Sequence, residues 1–341
     1  MLGRASEAIL TGRGRLQGFL RGSVKRRGIR VLLYHGVVEK KTDPVLERNQ
    51  QTLDGFRAQM RYLKRFRVVG MDELLDALDR PSAEPASAAM VTFDDGFANN
   101  LEAAEVLSRL RLPWSLFVSV GEVGTNRTMW LPEFSLLMLH GDAARVDVEG
   151  AVWPLKTREE RETSHRQLRG RLKALAAGAR NEAMERIRAQ FPAGETERLL
   201  DRFPSMRMLD WAQLRQLAAA GVEIGSHGVH HEAHHANQPA ADRLRELCQS
   251  RHELDSRLSR PCRSFAYPNG DFVPESPQEL AGAGYSVAFT TQEGTVDGTA
   301  SRYLLPRLSV RRSLDKFVRS LWWCEKPPSP APRTAPGDVG A

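Results

Sequence analysis

Apolar positions along this chain alternate between two rhythms. Residues 30–34 form a short apolar run that ends at His35 and predicts a strand. Leu53, Phe56, Met60 and Leu63 recur at helical spacing and predict a helix over 53–66, with a shorter one over 71–78. Residues 88–93 are an apolar run leading straight into Asp94-Asp95-Gly96, a helix is predicted over 100–110, and 114–120 reads as the next strand. Strand, helix, strand, helix in this order predicts a parallel sheet with crossover helices.

The rhythm breaks over about 133–205, a stretch rich in Arg, Glu, Leu and Ala. Weak strand signals lie near 143–152, and 157–190 reads as one amphipathic helical stretch, so this block is expected to be a helix-rich insertion rather than a separate catalytic domain. Alternation then resumes: helix 210–220, strand 222–225, helix 239–258, strand 263–266, helix 277–283, strand 286–290, strand 308–310 and helix 314–323. Residues 326–341 hold five prolines and almost no large apolar side chains, which predicts a disordered tail.

A hydrophobic share of 41% with 27% charged residues is globular, and no run approaches the roughly 18 apolar residues of a membrane-spanning helix. The net charge of +7 is local. Residues 1–30 contain eight basic groups (Arg4, Arg13, Arg15, Arg21, Lys25, Arg26, Arg27, Arg30) and one acid, Glu7, which accounts for the whole excess. The remaining body is neutral, so a nucleic-acid-binding body is not expected. Leu2, Ala5, Ile9, Leu16 and Leu20 fall in one arc of a helical wheel, with Arg4, Arg15 and Arg21 away from it. Residues 1–28 are therefore expected to make peripheral contact with an anionic membrane surface. The three cysteines, Cys248, Cys262 and Cys324, form no CxxC and read as free thiols. With no evident secretory signal, the expected location is the cytoplasm, peripherally at the inner membrane face.

Two features carry chemistry. Asp94 and Asp95 stand together where a buried strand ends, the end at which parallel α/β folds build sites. Because side chains alternate, one aspartate can hold a cation while the other takes a proton; an isolated Asp-Gly would be an ordinary turn. The second feature is His227, His230, His231, His234 and His235, five of the nine histidines in nine residues. Two histidines and a carboxylate are a frequent ligand set for a catalytic divalent metal. Three pairs have i,i+4 spacing, 227/231, 230/234 and 231/235. The first is favoured because it directly follows a predicted strand.

In combination these residues resemble a known family, the polysaccharide deacetylases (NodB-like carbohydrate esterases). The matching segments are Leu33-Tyr34-His35-Gly36-Val37, Thr92-Phe93-Asp94-Asp95-Gly96, Ser226-His227 with His231, Phe265-Ala266-Tyr267-Pro268-Asn269-Gly270, Ala283-Gly284-Tyr285 and Leu305-Pro306-Arg307. They span about 30–325. The resemblance implies a distorted (β/α)7 barrel over 29–325, with the insertion at about 133–205. It implies Asp94 as general base, and Asp95, His227 and His231 as ligands of a divalent metal, usually Zn2+. It also implies the backbone N–H of Asn269 as oxyanion donor. The arginine that many members place two residues before the Pro-aromatic pair is Ala266 here, and Arg307 is the candidate substitute. The Leu-x-His motif that often supplies the general acid is absent, and His35 is the candidate for that role. The implied activity is removal of N-acetyl groups from amino sugars of a polysaccharide or lipid-linked glycan. A deformylase or other small-amide hydrolase on the same scaffold is one alternative. A catalytically silent carbohydrate-binding protein is another.

Overall fold

The computed structural model describes residues 28–80, 87–310 and 312–322. The expectations for the basic segment up to residue 27, for Cys324 and for the proline-rich tail lie outside the described residues. Seven parallel strands form the centre: Ile29–Tyr34, Ala88–Phe93, Trp114–Val118, Glu223–Ser226, Ser264–Ala266, Val287–Phe289 and Leu308–Ser309. The first six lie side by side in chain order, and the seventh pairs with the first through Leu32↔Leu308 and Leu33↔Ser309. Just before it, Leu305 exchanges bonds with the sixth strand: its N–H donates to Ala288 and its carbonyl accepts from Thr290, both 2.9 Å. One segment thus joins the two sides of the sheet, giving the distorted (β/α)7 barrel that the resemblance implies. Arg67–Val68 adds a short strand beside Ala88–Ala89.

The strands are buried on both faces, which suits a parallel sheet. Val31, Met90, Phe117, Ala266 and Phe289 belong to one apolar cluster, while Leu32, Tyr34, Val91 and Phe93 belong to another shared with the helices. Alternate residues therefore serve different layers. The helix Leu53–Leu63 starts where the Thr52 hydroxyl accepts from the Gly55 N–H. It stops short of the expected residue 66 because the chain must turn into Arg67–Val68. Among the described residues no helix is long and apolar enough to cross a membrane.

The interrupting block packs around a core of its own, including Phe134, Val146, Trp153, Leu168, Ile187, Leu199 and Phe203. It begins with the helix Trp130–His140, followed by an antiparallel hairpin, Arg145–Val148 with Ala151–Pro154. The single helical stretch expected over 157–190 is two helices, Arg158–Ala174 and Ala177–Arg188, with Leu175 and Ala176 extended between them. Helix propensity alone does not break there. The freed backbone groups are satisfied from outside: Asn237 Nδ2 donates to the Ala174 carbonyl, and the Ala177 N–H donates to Gln238 Oε1, both at 2.9 Å. The block's two ends meet, with Thr128 Oγ1 donating to the Met206 carbonyl at 2.7 Å.

Candidate metal centre and cleft

The chemistry-bearing residues follow the strand ends. Tyr34, Phe93 and Leu116 are level in register, as are Val118, Ser226 and Phe265. His35, Asp94 and His227 are each the first residue beyond a strand, so they emerge on one rim, the C-terminal mouth of the barrel. Asp95 has φ 78°, and Gly96 follows at φ 89°. This left-handed pair reverses the chain, and a Cβ at Gly96 would come within 2.9 Å of Val118 Cγ1. His231 and Asn269 also hold φ 57°. Strained backbone in non-glycine residues is uncommon and tends to gather at functional sites.

Asp95, His227 and His231 are buried, and their ligating atoms all lie within 4.8 Å of one another; among the described residues this is the one such group. His227 Nδ1 lies 2.7 Å from the Ala266 carbonyl, to which it donates as N–H, leaving Nε2 directed at Asp95 Oδ1. Nε2 of His227 and of His231 each lie 3.5 Å from Asp95 Oδ1. A tetrahedral ion with ligands at about 2.1 Å separates its ligand atoms by about 3.4 Å. The donor set therefore fits a divalent metal. The other histidine pairs are not assembled here. His230 faces Glu122 at 3.9 Å, and His234 packs against Phe265 and Tyr267. The His235 ring accepts from the Asn237 N–H. Glu246 holds the loop by accepting from the N–H groups of Val229 (2.7 Å) and His230 (3.0 Å).

Asp94 lies beside this group and is paired differently. Arg307 is fully buried and donates to both Asp94 oxygens at 2.7 Å. Its Nε donates to the Thr290 carbonyl at 2.9 Å. Burial opposes the Asp94 carboxylate, but Arg307 and His227 outweigh it and hold the group below the ordinary carboxylate value. Burial likewise opposes ionisation of Asp95, which His227, His35 and His231 overcome. Burial and the neighbouring His227 pull His231 down to about 3, keeping its ring neutral and able to ligate.

A cleft of about 350 Å³ opens over these groups, lined by His35, Asp94, Asp95, His227, His231 and Asn269 among others. The structure thus gathers every candidate site residue: Arg307 touches Asp94 from beneath, and the rest face the cleft. Asn100, which finishes the turn after Asp95, donates to the His35 carbonyl at 2.8 Å. Trp130, Trp153 and Trp211 stack with Arg180, Arg171 and Arg257 instead of lining the cleft. Cys248 and Cys262 are free.

Sequence reasoning missed the contribution of the insertion. Lys173 lines the cleft and donates to Asn269 Oδ1 at 2.5 Å. Arg169 and His165 line an adjoining cavity with His35, Asp95 and His231. These three residues sit at i, i+4 and i+8 of one helix. That spacing, with no acid interleaved on the stripe, is the signal that could have found them. Arg48 and Arg312 complete the rim from the barrel side.

The sequence model described as polysaccharide deacetylase matches residues 82–288. No curated protein matches the sequence. Among solved structures, the chain is similar to IcaB from Ammonifex degensii, at 20% identity and a TM-score of 0.57, covering 87% of this chain and 97% of that one. It is also similar to the Streptococcus pyogenes deacetylase PplD, solved in complex with acetate, at 16% identity and 0.57, covering 87% and 98%. A de-N-acetylase from Aggregatibacter actinomycetemcomitans aligns at 17% identity and 0.52, covering 86% and 99%.

Proposed function

This chain belongs to the polysaccharide deacetylase family, hydrolases of carbon–nitrogen bonds other than peptide bonds, and from that premise we propose that it removes N-acetyl groups from amino sugars of a polysaccharide or lipid-linked glycan with a bound divalent metal, zinc. The observation that carries the reading is the division of labour between the two aspartates. Asp95 shares a ligand set with His227 and His231, while Asp94 is held ionised by Arg307 alongside it. A protein that only bound glycans would need neither the second carboxylate nor its buried partner.

Asp95 Oδ1 and the two histidine Nε2 atoms would hold the ion. Once bound, it supplies Lewis acidity, polarising the amide carbonyl and lowering the pKa of a water. Asp94 accepts the proton of the attacking water, and its ion pair with Arg307 keeps it unprotonated until that moment. The backbone N–H of Asn269 donates to the oxyanion as the carbonyl carbon becomes tetrahedral. His35, facing the same cleft, protonates the departing nitrogen, so the C–N bond breaks into acetate and a free amine. His35 and Arg307 lie outside residues 82–288, and the barrel's closure brings both to the centre.

Acetate release from a panel of N-acetylated oligosaccharides, with and without chelator, tests the reading. Release that chelator abolishes and added zinc restores is expected. Chelator-insensitive release would remove the metal from the reading, and no release from any N-acetylated glycan would remove the reaction.

A further inference from the structure

The mouth of the cleft is strongly basic in a protein whose body is otherwise neutral. Arg48, Arg169, Lys173 and Arg312 line the cleft and its adjoining cavity. Among the described residues, no carboxylate lies within ion-pair distance of any of the four, whereas many other arginines are paired elsewhere, such as Arg188 with Glu133 and Arg243 with Glu279. The acids that share the cleft are otherwise engaged: Asp94 by Arg307, Asp95 by the two histidines.

Three of the four, Arg48, Arg169 and Lys173, are also close enough to oppose one another. Arg48 is lowered to about 10 by burial and by Arg169. Lys173 is lowered to about 8, by burial first and then by Arg169 and Arg48, each of which outweighs the attraction of Asp271 or of Asp95. Holding like charges together without counter-charges costs stability, and a bound anion relieves that cost. The groups are fixed in place as well. Lys173 is tethered to Asn269, and Arg312 donates to the Arg48 carbonyl. The loop carrying Arg48 is anchored by Asp43, which accepts from Arg158 of the insertion and from the N–H groups of Val45 and Leu46.

We infer that the glycan is anionic: an oxyanion attached to the N-acetylated sugar, or to the residue beside it, seats among Arg48, Arg169, Lys173 and Arg312. The inference rests on the deacetylase reading and narrows its substrate class. Guanidinium forks suit carboxylate and phosphate alike. The oxyanion can therefore belong to a uronate within the glycan or to a phosphate at its end.

Three probes separate these outcomes: an N-acetylglucosamine tetramer, the same tetramer carrying a terminal glucuronate, and the same tetramer carrying a terminal phosphate. Binding is measured on the full chain as the Asp94→Asn variant, so that affinity is read without turnover. At least one charged probe should bind ten-fold or more tighter than the neutral tetramer, and whichever does identifies the oxyanion. The preference should weaken as salt rises. Arg169→Gln with Arg48→Gln should bring the ratio of charged to neutral affinity close to one, while Arg169→Lys should retain most of it. A charge-reversing Arg169→Glu should favour the neutral probe. Equal or tighter binding of the neutral tetramer to the parent variant would overturn the inference, as would a preference that survives the double substitution. Acetate release from the neutral tetramer by the unaltered chain reports on the deacetylase reading separately. Release without charge preference defeats only the present inference, and charge preference without release from any probe defeats only that reading.

Discussion

Burial pushes the Asp94 pKa up, and the fully buried Arg307, with His227, reverses the balance. Replacing Arg307 by Met should raise the Asp94 pKa, because desolvation then acts without its counterweight. The sign follows: the base must be ionised, so the acid limb of kcat/KM moves to higher pH. Breaking a buried pair also costs about 3–5 kcal/mol, which a thermal or denaturant melt would register. An unmoved acid limb would show that the proton goes to another group. The neighbouring aspartate should respond differently. Asp94→Asn is expected to lower kcat by about 10²–10⁴-fold while zinc content, measured by elemental analysis, stays near that of the parent. Asp95→Asn should lose zinc as well. Equal metal loss in the two variants would mean that both carboxylates ligate.

At the scale of elements, the His227–His231 loop depends on parts of the chain far from it in sequence. Arg180, on the insertion helix Ala177–Arg188, forms a buried bidentate pair with Glu232, the residue after His231. Asn237 and Gln238 of the same loop cap the break between the two insertion helices. Arg180→Ala should therefore weaken zinc binding by about 10–100-fold in chelator competition, although Arg180 touches no ligand atom. A variant with unchanged affinity would show that the barrel alone orients His231. This dependence also explains what the sequence showed and what it hid. The barrel strands were legible because most carry a short apolar run between helical stretches, and the site because Asp94, Asp95, His35 and His227 sit directly at strand ends. Arg307 was legible only through the resemblance, since its partner lies 213 positions away. The break at Leu175 and the role of Lys173 were not legible. Both are set by contacts with the 227–238 loop and the Asn269 turn, and local propensity carries no trace of such contacts.

At the scale of the whole molecule, two parts of the chain stand apart from the barrel in sequence. The first is the segment 1–27, outside the described residues, with its basic groups and one apolar arc. It predicts sedimentation with anionic vesicles that weakens with salt and disappears when residues 1–24 are removed, while turnover of a soluble glycan survives. Equal sedimentation of both chains would leave that arc without a membrane role. The second is the insertion, whose flanking residues Thr128 and Met206 meet and whose core is its own. Two strands of chain that leave and return at one point impose little on the scaffold between them. Loop-closure entropy changes by only about 0.6 kcal/mol for each doubling of length. The barrel keeps the reaction, whereas half of the basic rim, Arg169 and Lys173, arrives on the inserted block. Exchange of that one cassette would change which glycan the rim admits while sparing the bond that is broken, provided the incoming block again carried a partner for Glu232.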